Sequence, residues 1–319
     1  MDAVAQEAVW AAGRLKTNLE SCILGKSSEI ELLLTALLSG GHVLLEDVPG
    51  TGKTVLVKAL AKSVNGQFRR IQCNPDLLPT DITGVSIYHP KQESFVFRPG
   101  PVMTNLLLVD EINRATTKTQ SALLEAMEER SISADGENYP LPSPFLLIAT
   151  QNPIDFEGTY PLPEAQLDRF LMKLRLGYPD HETEKQMLRD QAEQHPVERL
   201  APVMDIEGLL ALQQAVRQVH IDEAVSDYLV TIVQETRRHR SLALGASPRA
   251  TLGLLAASKS LALLRGRDYV IPDDIKYLTP YVLSHRLLLQ TDARLDGQTA
   301  ESVLEQLLQG IRVPIRLEK

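Results

Sequence analysis

Hydrophobic positions recur along this chain in two periods, and the place where one gives way to the other divides it. In the first half, short apolar runs end abruptly in polar residues. Val43-Leu44-Leu45 stops at Glu46, Leu106-Leu107-Leu108-Val109 at Asp110-Glu111, and Phe145-Leu146-Leu147-Ile148-Ala149 at Thr150. Runs of this length, apolar on both faces, are those of strands buried in a parallel sheet. Phe68 to Cys73 reads as a further strand, ended by Pro75 and Pro79. Between the runs the period lengthens to that of a helix. Ile30, Leu33, Leu34, Leu37 and Leu38 follow at i, i+3, i+4, i+7 and i+8, behind Ser28 and Glu31 at the spacing of a capping box. Val4 to Leu19, Val55 to Val64 and Thr117 to Arg130 read as helices, the last with Leu123, Leu124 and Met127 on one face. Two hairpins interrupt the series: Val85 to Tyr88 with Ser94 to Phe97, and Ser131 to Ala134 with Glu137 to Leu141 around Asp135-Gly136.

From Pro179 the strand signals fade. Asp222 predicts the cap of a helix striped by Val225, Tyr228, Leu229, Ile232 and Val233, and Ser247-Pro248 opens another that runs to Gly266. Pro272 to Arg286 is helical by pattern, kinked or split at Pro280, and the chain from Asp296 is partly helical. This organisation predicts a doubly wound parallel α/β domain over 1–178 and a smaller all-α domain over 179–319.

Composition narrows the class. The 44% hydrophobic content of the 319 residues is that of an ordinary globular protein, and no apolar run approaches bilayer-spanning length. The N-terminus, Met1-Asp2-Ala3-Val4-Ala5-Gln6-Glu7, lacks the basic and apolar regions of a secretory signal, so the expected compartment is the cytoplasm. A net charge of −8 argues against a default nucleic-acid binder. Cys22 and Cys73 form no Cys-x-x-Cys pair and are expected as buried thiols.

The candidate chemistry gathers at two strand ends. After the first strand, Val48-Pro49-Gly50-Thr51-Gly52-Lys53-Thr54 opens a helix, the arrangement of a phosphate-binding loop whose backbone N–H groups face an anion. Lys53 would reach the β- and γ-phosphates of ATP, and the Thr54 hydroxyl would coordinate Mg2+. The pattern G-x-x-x-x-G-K-[ST] calls for glycine at position 47, where the chain has Asp47. The second site is Asp110-Glu111, two carboxylates at the end of a buried strand: Asp110 would hold the metal through its water shell and Glu111 would polarise the attacking water.

Asp110-Glu111-Ile112-Asn113-Arg114-Ala115 and Lys118 to Glu129, with Glu46 to Thr54, Pro75 to Gly84 and Ala149-Thr150-Gln151-Asn152-Pro153, resemble the signature of the MoxR-type AAA+ ATPases over nearly the whole chain. The family's loop is similar to G-x-G-K-T after Val-Pro, so Asp47 is no departure within it. The resemblance implies an AAA+ core with a helical lid and Mg2+-dependent hydrolysis of ATP. It places Asn152 at the sensor 1 position, Arg169 at that of the arginine finger and Arg249 at that of sensor 2, with Arg114 as a further trans-acting candidate. Outside the family, Asn152 reads equally as a turn residue, whereas for Arg169 the favoured reading is a solvated arginine paired with a local acid such as Glu164. Arg249, a cation in the first turn of a helix, opposes the helix dipole. The two hairpins look like the family's insertions; they read equally as pore-facing loops of a ring and as surface hairpins without a ligand. Further implications are a homo-oligomer, a hexamer in the relatives, and a separate protein client carrying a von Willebrand factor type A domain. The competing classes are a nucleic-acid motor, against which the charge and the missing basic tract count, and a slow ATP-gated scaffold, against which Glu111, Asn152 and Arg169 count.

Overall fold

The computed structural model describes residues 3–48, 50–91, 93–152, 159–190 and 196–314. Helices α1 (Ala3–Glu20) and α2 (Ser27–Leu38) precede β1 (Val43–Glu46), and α3 (Lys53–Ser63) leads to β2 (Phe68–Gln72). The short α4 (Pro79–Thr83) and the hairpin β3 (Gly84–His89) and β4 (Ser94–Pro99) come before β5 (Leu106–Asp110) and α5 (Thr117–Glu129). A second hairpin, β6 (Ser131–Ala134) and β7 (Glu137–Pro140), is followed by β8 (Leu146–Gln151), α6 (Glu164–Leu167) and β9 (Met172–Leu174). The second half is helical: α7 (His181–Asp190), α8 (Pro196–Arg199), α9 (Ile206–Gln218), α10 (Glu223–Arg238), α11 (Pro248–Leu264), α12 (Pro272–Leu283), α13 (Thr291–Leu295) and α14 (Ala300–Gly310). One small ribbon, β10 (Leu242–Leu244) against β11 (Leu288–Leu289), interrupts it.

The apolar runs pair as their composition predicts. Among the described residues β2, β5, β8, β1 and β9 form one parallel sheet in that order. Alternate residues of β1, β5 and β8 enter different cores, as the two-residue period of a strand requires. Leu44, Leu107, Val109, Leu147 and Ala149 pack with Leu123, Leu124 and Met127 of α5. Val43, Leu45, Leu106, Leu108, Leu146 and Ile148 join the other core, which runs through α1, α2 and α3 into Leu254, Leu261 and Leu278 of the second half.

Several helix ends follow the sequence. The Asp222 carboxylate accepts from Ala224 N at 3.0 Å, and the stripe Val225, Tyr228, Leu229, Ile232 and Val233 is buried. Ser247 caps α11 with Pro248 in its first turn. Two expectations do not hold. Helix α2 begins at Ser27 with Lys26 as its uncapped N-cap, so Ser28 and Glu31 form no capping box. Glu31 is instead buried against Arg265 at 2.8 Å and Lys16 at 3.2 Å, joining α1 and α2 to the end of α11. A tertiary ion pair has claimed the carboxylate that local spacing offered to the backbone. Helix α12 is also not split at Pro280, which lies inside it. Its start is fixed by Asp274, fully buried, which accepts from Ile271 N at 3.0 Å and from both terminal nitrogens of Arg267.

Two buried histidines tie the sheet to its surroundings. His42 Nδ1 accepts from Leu147 N at 2.9 Å, so the ring proton sits on Nε2, which donates to Met127 O at 3.2 Å. Burial holds its pKa down at about 4, against the ordinary 6.5. His285 Nε2 contacts Phe170 O at 3.0 Å, and burial, with the charge of Arg286, takes its pKa to about 3. A histidine with a depressed folded pKa binds its proton only in the unfolded chain between the two values, so stability falls as pH drops through that window. Between about pH 7 and about pH 5, above the carboxylate range, each histidine should cost about 2 kcal/mol of unfolding free energy. Urea unfolding at both pH values checks this, and the pH dependence should shrink by about half in His42→Gln.

Candidate functional site

The phosphate loop joins β1 to α3. Gly50 and Gly52 take φ of 88° and 86°, and a Cβ at either would meet nothing within 4 Å. Glycine is therefore needed for backbone conformation rather than for space. Gly52 is the N-cap of α3, so the first-turn N–H groups of Lys53, Thr54 and Val55 need partners from outside the helix. Lys53 Nζ donates to Asp47 O at 2.9 Å and Val48 O at 3.1 Å. Burial pulls its pKa below the ordinary 10.5, against the carboxylates of Asp47, Asp110 and Glu111. Pro49, a candidate nucleotide-binding residue, lies outside the described residues.

Strand β5 delivers its two carboxylates beside this loop. Asp110 is buried at the strand end, and Glu111 turns the chain with φ of 55°, a left-handed conformation uncommon outside glycine. Thr150 at the end of β8 ties them together: its hydroxyl accepts from Glu111 N at 2.9 Å and donates to Asp110 Oδ1 at 3.3 Å. Arg70 Nε donates to Asp110 Oδ2 at 2.6 Å, and Arg114 pairs with Glu111 at 2.9 Å. Asp47, Gly50, Gly52, Lys53, Thr54, Asp110, Glu111, Thr150 and Asn152 line one cavity of about 360 Å³ with Arg70 and Gln72. The Thr54 hydroxyl and the Asp110 carboxylate are hard oxygen donors facing one space. This donor set fits magnesium, which keeps several waters and takes few protein ligands beside phosphate oxygens.

Arg169 and Arg249 line a different cleft, of about 410 Å³, between α5 and the start of α11. Both pair with Glu128: Arg169 Nη1 through Oε2 at 2.9 Å, and Arg249 through Oε1. Arg169 also donates to Leu124 O at 2.8 Å, and the acid it pairs with is Glu128 of α5, not the neighbouring Glu164. Arg249 lies 3.8 Å from Asp168, whose carboxylate accepts from Ser247 Oγ at 2.9 and 3.0 Å. Two carboxylates thus answer the conflict between an arginine in a first helical turn and the helix dipole. Arg286, buried behind them, donates to Phe170 O at 2.6 Å and lies 3.4 Å from Asp168, and burial lowers its pKa to about 10.

The structure brings together Lys53, Thr54, Asp110, Glu111 and Asn152, and holds Arg169 and Arg249 apart from them as a pair. Sequence reasoning missed Arg70, Gln72 and Thr150 in the first group and Glu128, Asp168 and Arg286 in the second. A signal for the first existed: polar residues at i and i+2 near the end of β2 share a face, and the register sets Gln72 beside Asp110. The hairpins carry a further feature. Ile87, Tyr88, Phe95 and Val96 of β3 and β4 are exposed, while Phe97 stacks on Tyr139 of β7 with centroids 4.2 Å apart, so the two hairpins touch.

Comparison with known proteins agrees with this geometry. The profile of the ATPase family associated with various cellular activities (AAA) matches residues 42–172, and that of the AAA lid domain matches residues 234–307. The chain is 52% identical to the uncharacterized protein YeaC of Bacillus subtilis over 95% of either chain. It is 48% identical to chaperone MoxR1 of Mycobacterium tuberculosis, covering 93% of this chain and 81% of that one. Protein MoxR of Methylorubrum extorquens is 31% identical over 88% of each. The crystal structure of a Cytophaga hutchinsonii protein described as an ATPase superposes with a TM-score of 0.92 at 36% identity, over 98% of this chain and 97% of that one. A full-length MCM homolog from Methanopyrus kandleri, 17% identical with a TM-score of 0.58, shares the fold. With its phosphate loop, its paired carboxylates and these relatives, the chain belongs to the MoxR family of AAA+ ATPases.

Proposed function

We propose that this protein hydrolyses ATP to ADP and phosphate in a magnesium-dependent reaction and uses the free energy to remodel a separate protein. The observation that carries the reading is the convergence of Lys53, Thr54, Asp110, Glu111 and Asn152 on one cavity at the C-terminal edge of the sheet. Backbone N–H groups of the loop and the start of α3 would bind the phosphates, with Lys53 between the β and γ groups. Thr54 and Asp110 would hold the magnesium ion, which neutralises phosphate charge as the bond to the leaving group breaks. Glu111 would take the proton of the attacking water, and Asn152 would orient that water against the γ-phosphate.

Arg169 and Arg249 share Glu128, outside that cavity, and this supports a role for both on the nucleotide of a neighbouring subunit in a ring, most simply a hexamer. A guanidinium supplied from a neighbour stabilises the charge of the transition state and makes hydrolysis depend on assembly. The exposed apolar hairpin of β3 and β4 is the proposed client contact, and the client proposed from the family resemblance carries a von Willebrand factor type A domain. We take the division into nucleotide-binding domain and lid to fall near residue 178 and the compartment to be the cytoplasm.

Three variants, and a mixture of two of them, test the reading. Lys53→Ala should abolish tight ATP binding, measured by fluorescent-nucleotide titration. Glu111→Gln should bind ATP and hydrolyse it about 10² to 10⁴ times more slowly, a loss that phosphate release reads directly. Arg169→Ala should bind ATP nearly as the parent does yet lose about 10³-fold or more in turnover. Mixing it with Lys53→Ala should restore part of the activity, because only mixed rings contain an interface with both groups intact. Full, concentration-independent activity of a monomer would overturn the trans assignment.

A further inference from the structure

Asp47 stands where the phosphate-loop pattern has glycine, and the structure gives its side chain a task outside the loop. The residue is buried, and Oδ2 accepts from two successive backbone amides, Leu176 N at 2.7 Å and Gly177 N at 2.9 Å. Those amides belong to the segment leading from β9 into the helical half. Gly177 takes φ of 64°, which suits glycine and lets consecutive N–H groups converge on one oxygen. The other side of the segment is held by Lys26, whose ammonium donates to Leu176 O and, at 3.1 Å, to Tyr178 O. The residue before Asp47 reinforces the grip: Glu46 Oε2 accepts from Arg175 at 2.6 Å and lies 3.4 Å from Lys173.

The backbone of Asp47 faces the nucleotide side. Its carbonyl accepts from Lys53 Nζ, the group that phosphate would engage, and its N–H donates to Gln151 O at 3.2 Å. One residue is thus bonded through its carbonyl to the phosphate-binding lysine and through its carboxylate to the interdomain segment. A triphosphate that takes up Lys53 removes a hydrogen bond from the Asp47 carbonyl and leaves the carboxylate bonds in place, so a shift of residue 47 is passed to residues 176 and 177. We propose that Asp47 is a positioning residue that latches the phosphate loop to the segment Leu176–Tyr178 and relays nucleotide binding to the base of the lid. The relay rests on the ATP reading; the latch does not.

Hydrogen–deuterium exchange in the full chain, with and without a non-hydrolysable ATP analogue, tests both parts. Asp47→Gly restores the ordinary loop residue and leaves the loop's own N–H groups and Lys53 in place, and exchange is compared at an analogue concentration that titration shows to saturate each protein. A charged acceptor has left two amides, so exchange at Leu176 and Gly177 should rise at least about tenfold without nucleotide. The parent should show a nucleotide-dependent change at residues 176–178 that Asp47→Gly lacks. Asp47→Asn, which keeps an acceptor oxygen, should fall between the two and carries the same test if Asp47→Gly does not fold. Unchanged exchange at these amides in the variant overturns the latch. An equal nucleotide-dependent change in parent and variant overturns the relay. Loss of analogue binding in Asp47→Gly would place the residue's role in the loop itself and overturn the proposal, whereas a parent that binds no nucleotide overturns the ATP reading and the relay but not the latch.

Discussion

A strand buried in the middle of a parallel sheet must hand every backbone N–H and C=O to a neighbour on each side, and the arrangement of this protein follows from meeting that demand. β5 lies between β2 and β8, and β8 between β5 and β1, so the ends of β1, β5 and β8 open side by side at one edge. The register brings Glu46 opposite Gln151 and Gln72 opposite Asp110, which sets the phosphate loop, the two carboxylates and Thr150 within one cavity. Because these groups sit at or just beyond the ends of neighbouring strands, their relative placement is set by the sheet. His42 strengthens the same point from beneath: its ring joins Leu147 at the start of β8 to Met127 of α5, while its carbonyl accepts from Leu171 at the approach to β9.

Charge is spent locally at this edge and at the lid. Arg70 and Arg114 answer Asp110 and Glu111, and Glu128 and Asp168 answer Arg169, Arg249 and Arg286. Pairs of this kind contribute little net stability when exposed, but they hold long side chains in defined places, which is what a site assembled from several elements requires. Where they are buried, removing one partner strands the other in a medium of low dielectric constant. The pair of Glu31 with Arg265 therefore sets how the N-terminal helices meet the end of α11, and that of Asp274 with Arg267 how the end of α11 meets α12, more than how strongly they do so.

The N-terminal helices give the helical half its seat. α2 is buried along nearly its whole length, and one apolar core runs from the sheet through α2 into α11, flanked by the ion pair of Glu31 with Arg265 and the hydrogen bond of Ser39 with Ser260. The candidate site at the sheet edge and the helices after residue 178 thus share a common support, and the segment Leu176–Tyr178 crosses it where Lys26 begins α2.

Much of this was legible in one dimension. Strand and helix periods, the Asp135-Gly136 turn with both residues at positive φ, the caps at Asp222 and Ser247, and the pairs Lys53-Thr54 and Asp110-Glu111 are local facts, set by side-chain periodicity, turn chemistry and the shape of a phosphate loop. Other features are contacts between residues distant in sequence, and only the packed chain decides them. Glu31 has the spacing of a capping residue but meets Arg265, and Pro280 reads as a kink or a split but lies inside a single helix. Arg249 and Arg169, widely separated along the chain, meet on Glu128. Asp47 departs from the general motif, and its partners, the amides of Leu176 and Gly177, lie 129 and 130 residues further on; a local pattern carries no information about which backbone will arrive beside it.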